Sequence, residues 1–104
     1  MMDGVERIAR ERKRQVEQEG WSMEHDRQHG GAELSLAAAC YSIYAAGLMN
    51  QMSPSEDLNG VPLIWPWLEA AWKPSDDPIR NLEKAGALIA AEIDRLLRQE
   101  GSIT

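Results

Sequence analysis

The sequence predicts a single all-α domain: a small bundle of three main helices, a short tryptophan-bearing helix and a long loop. Three observations carry that prediction. Three long segments repeat apolar side chains every three or four residues, the period of a helix face. Capping and breaking residues bound those segments. The chain has 104 residues, enough for one small domain, 1–104, around one core.

Residues 3–19 read as the first helix. Asp3 can cap it, with Glu6 at the third helical position reaching back, a capping box. Val5, Ile8, Ala9 and Val16 follow one face, joined by the stem of Arg12. The opposite face is charged and reads as a solvated surface. On the functional reading, Arg14 and Gln15 point into a site, and Gly20 stops the helix.

Residues 32–49 are the most apolar segment. Leu34, Ala37, Ala38, Tyr41, Ala45 and Leu48 share one side, and Leu36, Ala39, Cys40, Ile43 and Ala46 fill much of the other. A helix apolar nearly all round is expected at the centre of the bundle. Residues 50–64 read as a loop, punctuated by Pro54, Asn59-Gly60 and Pro62. Pro66 suits the start of a short helix through Trp72, with Trp65, Leu68 and Trp72 along one side and Trp67 off it. The last helix spans 78–99. Asp76 or Asp77 caps it, Pro78 opens it, and Ile79, Leu82, Gly86, Ile89, Ile93, Leu96 and Leu97 form a stripe. Residues 100–104 are expected to fray.

Composition narrows the function classes. The chain is 43% hydrophobic and 27% charged, ordinary for a globular domain. A net charge of −6 argues against a sequence-independent grip on nucleic acid, which needs a basic surface. It leaves room for a small anion held by a local cluster of Arg and Lys. A single cysteine, Cys40, points to a reducing compartment. No apolar run is long enough to cross a bilayer, and no signal-peptide core opens the chain, so a cytoplasmic setting without membrane contact is expected. Phe is absent, and four Trp carry the large aromatic surface.

Three constellations offer chemistry. The connector between the first two helices holds both histidines: His25, Asp26 and His29 lie there, ahead of Glu33. On one helix, His25, His29 and Glu33 would share a face at metal-ligand spacing, but Gly30-Gly31 breaks such a helix. No metal, cofactor or catalytic residue is assigned on this ground. The second constellation joins Trp21, Trp65, Trp67 and Trp72 to Lys73, Arg80, Arg14 and His25. Trp21, Trp65 and Trp72 can stack on a base. Arg14, Lys73 and Arg80 can neutralise phosphate, while His25, Asp26 and His29 orient the ligand. Core filling is the competing reading for any one of these tryptophans. The third, Cys40 with a histidine, is set aside because Cys40 sits in an apolar helix with nothing to lower its pKa.

A family resemblance adds to this. Arg14-Gln15, Glu19-Gly20-Trp21, Glu24-His25-Asp26, His29, Glu33-Leu34, Trp65-Pro66-Trp67, Trp72-Lys73-Pro74, Lys84-Ala85-Gly86-Ala87-Leu88-Ile89 and Ala91-Glu92-Ile93 resemble a family of small proteins encoded by phages and prophages. The resemblance covers nearly the whole chain and implies a viral setting, hence the host cytoplasm. Gly20-Trp21, His29, Leu34, Tyr41, Leu82 and Gly86 are also similar to the RyR-repeat domain, which implies a nucleotide-derived ligand. Ser22-Met23 and the lack of a Pro after His29 depart from that pattern. The likeness to all-α nucleotide pyrophosphohydrolases of the MazG type is poor, because Glu33 lacks an acidic partner on its own helix and Glu92-Ile93-Asp94 has the wrong spacing.

The leading expectation is a non-enzymatic binding module for a small nucleotide-like ligand, serving an anti-defence role by sequestering a host immune signal. One alternative is a metal-dependent pyrophosphohydrolase using His25, Asp26, Glu33, Glu92 and Asp94. Another is an acidic inhibitor that docks on a host defence protein. The Ala-rich central helix and the apolar last helix carry more surface than three helices of this length need, so a homodimer is also expected.

Overall fold

The computed structural model describes residues 1–18, 32–47 and 60–99. The expectations for the His-bearing connector, with Trp21, His25, Asp26 and His29, lie outside the described residues. So do those for most of the 50–64 loop and for the tail at 100–104.

Asp3 starts α1 (Gly4–Gln18) through the expected reciprocal cap. The Glu6 amide donates to Asp3 Oδ1 at 2.9 Å, and the Asp3 amide donates to Glu6 Oε1 at 3.3 Å. The second helix, α2 (Glu33–Ala45), is shorter than its apolar pattern predicts. It stops because Gly47 takes a left-handed φ of 73° and its amide turns back to the Tyr44 carbonyl at 3.0 Å. The third helix, α3 (Pro78–Gln99), opens on Pro78 with Asp77 Oδ1 accepting from the Ile79 amide at 2.9 Å. All three are long enough to be stable only when packed.

The centre of the bundle is α3 rather than α2. Both α1 and α2 pack on α3, and they do not pack on each other. Small side chains make this possible. Ala85 and Ala91, both 2% exposed or less, flank Leu88 on the side that meets Leu34, Ala37 and Ala38 of α2. On another side Gly86 lies so close beneath Ile8 that an added Cβ would sit 2.6 Å from the isoleucine Cδ1. Charged contacts complete the α1–α3 seam: Arg7 to Glu83 at 3.2 Å and Arg12 to Asp94 at 3.8 Å. The apolar stripe read from the sequence takes neither of these places. Ile79, Leu82, Ile89, Ile93 and Leu96 stay between 44% and 53% exposed.

Residues 60–77, the connector leading into α3, have little regular structure. The expected helix from Pro66 through Trp72 does not form. Only a 3-10 turn, Glu69–Ala71, is present, and Leu68 is 81% exposed rather than aligned with the two tryptophans. The cause is local: the Trp65 indole donates to the Leu68 carbonyl at 3.0 Å, and the Trp72 amide turns to Glu69 instead. The indoles are drawn toward α2. Trp72 stacks tilted on Tyr41 with centroids 4.8 Å apart, and Trp65 meets Trp72 at 5.0 Å and Trp67 at 5.3 Å. Each such pair contributes about 0.5–1.5 kcal/mol beyond its buried area. Buried Asn81 anchors the end of the connector, accepting from the Ser75 amide at 2.8 Å and donating to the Ser75 carbonyl at 2.7 Å.

Among the described residues no helix is long and apolar enough to cross a membrane.

Candidate functional site: a cavity between the first helix and the tryptophan connector

The second half of α1 turns one face inward. Glu11 and Gln15, one turn apart, are 3% and 2% exposed, unusual burial for such side chains. Arg14 grips Glu11 from the same helix through two bonds of 2.8 Å, and Arg80 reaches it from α3 at 2.8 Å. Burial pushes the Glu11 carboxyl up, but the hydrogen bonds and charges of Arg14 and Arg80 outweigh it and hold the group below its usual value. Gln15 Nε2 donates to the same carboxylate at 3.2 Å. Gln15 Oε1 has no hydrogen-bond partner among the described residues.

This face closes one side of a cavity of about 280 Å³. Trp65, Trp67 and Lys73 of the connector form the opposite side, with Tyr41 of α2 and Lys84 of α3 between them. Trp67 is held by its indole N–H, which donates to Glu33 Oε2 at 3.2 Å. Lys84 Nζ donates to the Lys73 carbonyl at 2.6 Å and lies 5.4 Å from the Tyr41 ring centroid. The cavity thus offers flat indole surface, three cations, one neutralised carboxylate and one vacant amide acceptor.

The residues predicted as a site are divided by the fold. Arg14, Trp65 and Lys73 line the cavity. Trp72 lies behind its wall, against Tyr41, Tyr44 and Trp65. Arg80 stands on the far side of Glu11, where it also meets Glu83 at 3.2 Å and borders a second, open cleft. Trp21, His25, Asp26 and His29 lie outside the described residues. Sequence reasoning passed over Glu11 and Lys84, and it counted Trp67 among the aromatic residues without assigning it a contact to the ligand. Lys84 carried a usable signal, one turn beyond Arg80 on the same helix face. Trp67 was set off the site because a helix was expected there.

The acidic residues considered for a metal have separate tasks. Glu33 holds Trp67, Glu92 accepts from Arg95 at 2.6 Å, and Asp94 pairs with Arg12. Among the described residues no group of three His, Cys, Asp or Glu side chains converges. Cys40 is fully buried, and desolvation pushes its thiol up to about 11. No family model matches the chain, and no curated protein or solved structure is similar to it.

Proposed function

We propose that the protein is a binding module for a small nucleotide-derived ligand held in the cavity between α1 and the tryptophan connector. The observation that carries this reading is Gln15 Oε1, a buried acceptor without a partner among the described residues, at an aromatic and cationic cavity. An unsatisfied buried acceptor costs about 1–3 kcal/mol, which a ligand N–H recovers. The amino or imino group of a nucleobase supplies that N–H. The same base stacks on Trp67, an interaction of about 1–3 kcal/mol. Lys73 and Lys84 then face the phosphate, with Arg14 fixed beside them by Glu11. Arg80 acts behind the site, holding Glu11 in place. The volume suits one nucleoside-sized group, at the low end of ligand pockets.

The resemblance to phage and prophage proteins, and more loosely to RyR-repeat domains, supports a setting in which such a module sequesters a host signalling nucleotide in the host cytoplasm. Calorimetry against mononucleotides, dinucleotides and cyclic nucleotide signals tests the reading. At least one class should give saturable heat. Lys84→Met and Gln15→Leu should each weaken it on the order of tenfold, the loss of one charge-assisted or buried hydrogen bond. Absence of heat across the whole panel would sink the proposal.

A further inference from the structure

Glu11 and Arg14 line the ligand cavity and also a second, open cleft of about 460 Å³. Beyond that shared pair the two differ in kind. The cavity has indole and phenol faces. The cleft continues over Arg10, Lys13 and Glu17 of α1 and over Arg80 and Glu83 of α3, and among the described residues no aromatic or aliphatic side chain lines it. Such a surface gives a base nothing to stack on and suits an anion.

The charges of the cleft are sorted by depth. Glu11 and Glu83 are buried at its floor, and each is met by two arginines: Glu11 by Arg14 and Arg80, Glu83 by Arg7 and Arg80. The cations stand toward solvent, with the side chains of Arg10 and Lys13 58% and 73% exposed. Arg10 touches the Met2 sulfur at 3.4 Å and stands 3.9 Å from Glu83, too far for a hydrogen bond, so its fork keeps donors for a ligand. With Arg7, five cations surround three carboxylates, a local positive excess in a chain of net charge −6. The third carboxylate, Glu17, is the exposed one, 4.0 Å from Lys13.

We propose that the ligand is a nucleoside polyphosphate, whose phosphate chain passes Arg14 out of the cavity and ends in this cleft against Arg10, Lys13 and Arg80. The inference rests on the ligand reading above and narrows it. The cavity, at about 280 Å³, is filled by one nucleoside-sized group, so phosphates beyond the first lie outside it. Arg14 stands where the chain leaves, and the buried Glu11 carboxylate fixes both Arg14 and Arg80 in advance, so little side-chain entropy is lost on binding. A dinucleotide would instead bring a second base to a cleft that has no aromatic face for it among the described residues.

Calorimetry with the four common ribonucleoside 5′-monophosphates and 5′-triphosphates, magnesium-free and in about 0.15 M salt to screen long-range attraction, tests it. For at least one base, the triphosphate should bind on the order of tenfold more tightly than its monophosphate. The double variant Arg10→Gln/Lys13→Gln changes exposed side chains, so it should keep the wild-type circular dichroism and the monophosphate affinity while losing the triphosphate advantage. Glu17→Gln removes the exposed carboxylate and should tighten the triphosphate alone. A monophosphate that binds with no gain for its triphosphate overturns this inference and leaves the cavity reading standing. Silence from all eight nucleotides overturns it too, whereas the cavity reading falls only if dinucleotides and cyclic nucleotides are silent as well. A gain that survives the double variant, a gain matched by inorganic tripolyphosphate alone, or a cyclic dinucleotide that binds more tightly than the triphosphate also overturns it.

Discussion

Arg80 Nη1 lies 2.8 Å from Oε1 of Glu11, and the same carboxylate holds both nitrogens of the Arg14 fork. This one buried carboxylate ties α1 to α3 and forms part of the cavity wall. Removing its charge leaves two guanidiniums facing each other, each about 30% exposed and so partly screened. Glu11→Gln should therefore cost on the order of 2–3 kcal/mol in urea unfolding. Arg80→Ala should cost less, because Arg14 still satisfies the carboxylate.

The same group sets an acid limit. The folded Glu11 pKa lies below its unfolded value, so the stability it contributes is present above the unfolded pKa and is lost as pH falls through the folded one. Thermal melts from about pH 6 down to about pH 3 should show a falling midpoint in the wild type. The fall should be shallower in Glu11→Gln, which has no proton to take up at that site. Parallel curves for the two proteins would refute this.

Gly86→Ala makes a sign-reversing pair with Ile8. In the wild type, the added methyl meets Ile8 Cδ1 at 2.6 Å and Cγ1 at 2.7 Å, so overpacking of about 1–3 kcal/mol outweighs the roughly 1 kcal/mol gained in helix propensity. In an Ile8→Ala background the obstruction is gone and the same substitution should stabilise by up to about 1 kcal/mol. A double-mutant cycle in urea measures the reversal.

Cys40 is fully buried with its thiol pushed up to about 11, so little thiolate exists near neutral pH. A thiol reagent at about pH 8 should label it no faster than the protein unfolds, and at once in denaturant. Rapid labelling of the folded chain would contradict its place in the core.

The helices were legible because their signals are local. Asp3 with Glu6, and Asp77 with Pro78, fix two helix starts from the residues alone. What each helix packs against was less legible. The periodic Ile and Leu of the last helix suggested its core side, yet alanine and glycine meet its neighbours, because small side chains let axes approach while saying little in a hydropathy pattern. The tryptophan segment misled for another reason. Pro66 allowed a helix, and only the pull of the indoles toward Tyr41 and Glu33 decided against it. The cavity face of α1 was half legible: Arg14 and Gln15 were placed by their position in the helix, whereas Glu11 looked like one more solvated charge.

The aromatic connector has a kinetic consequence. The Lys73 amide donates to the Tyr41 hydroxyl across 32 residues of chain, and Trp67 reaches Glu33 across 34. These contacts close a long loop, so they repay their entropy only after α2 and α3 have met. Three of the four tryptophans belong to the connector. In a refolding jump of a Trp21→Tyr variant, the far-ultraviolet signal of the helices should thus rise before tryptophan emission reaches its native value, and the lag between the two should report the docking of the connector.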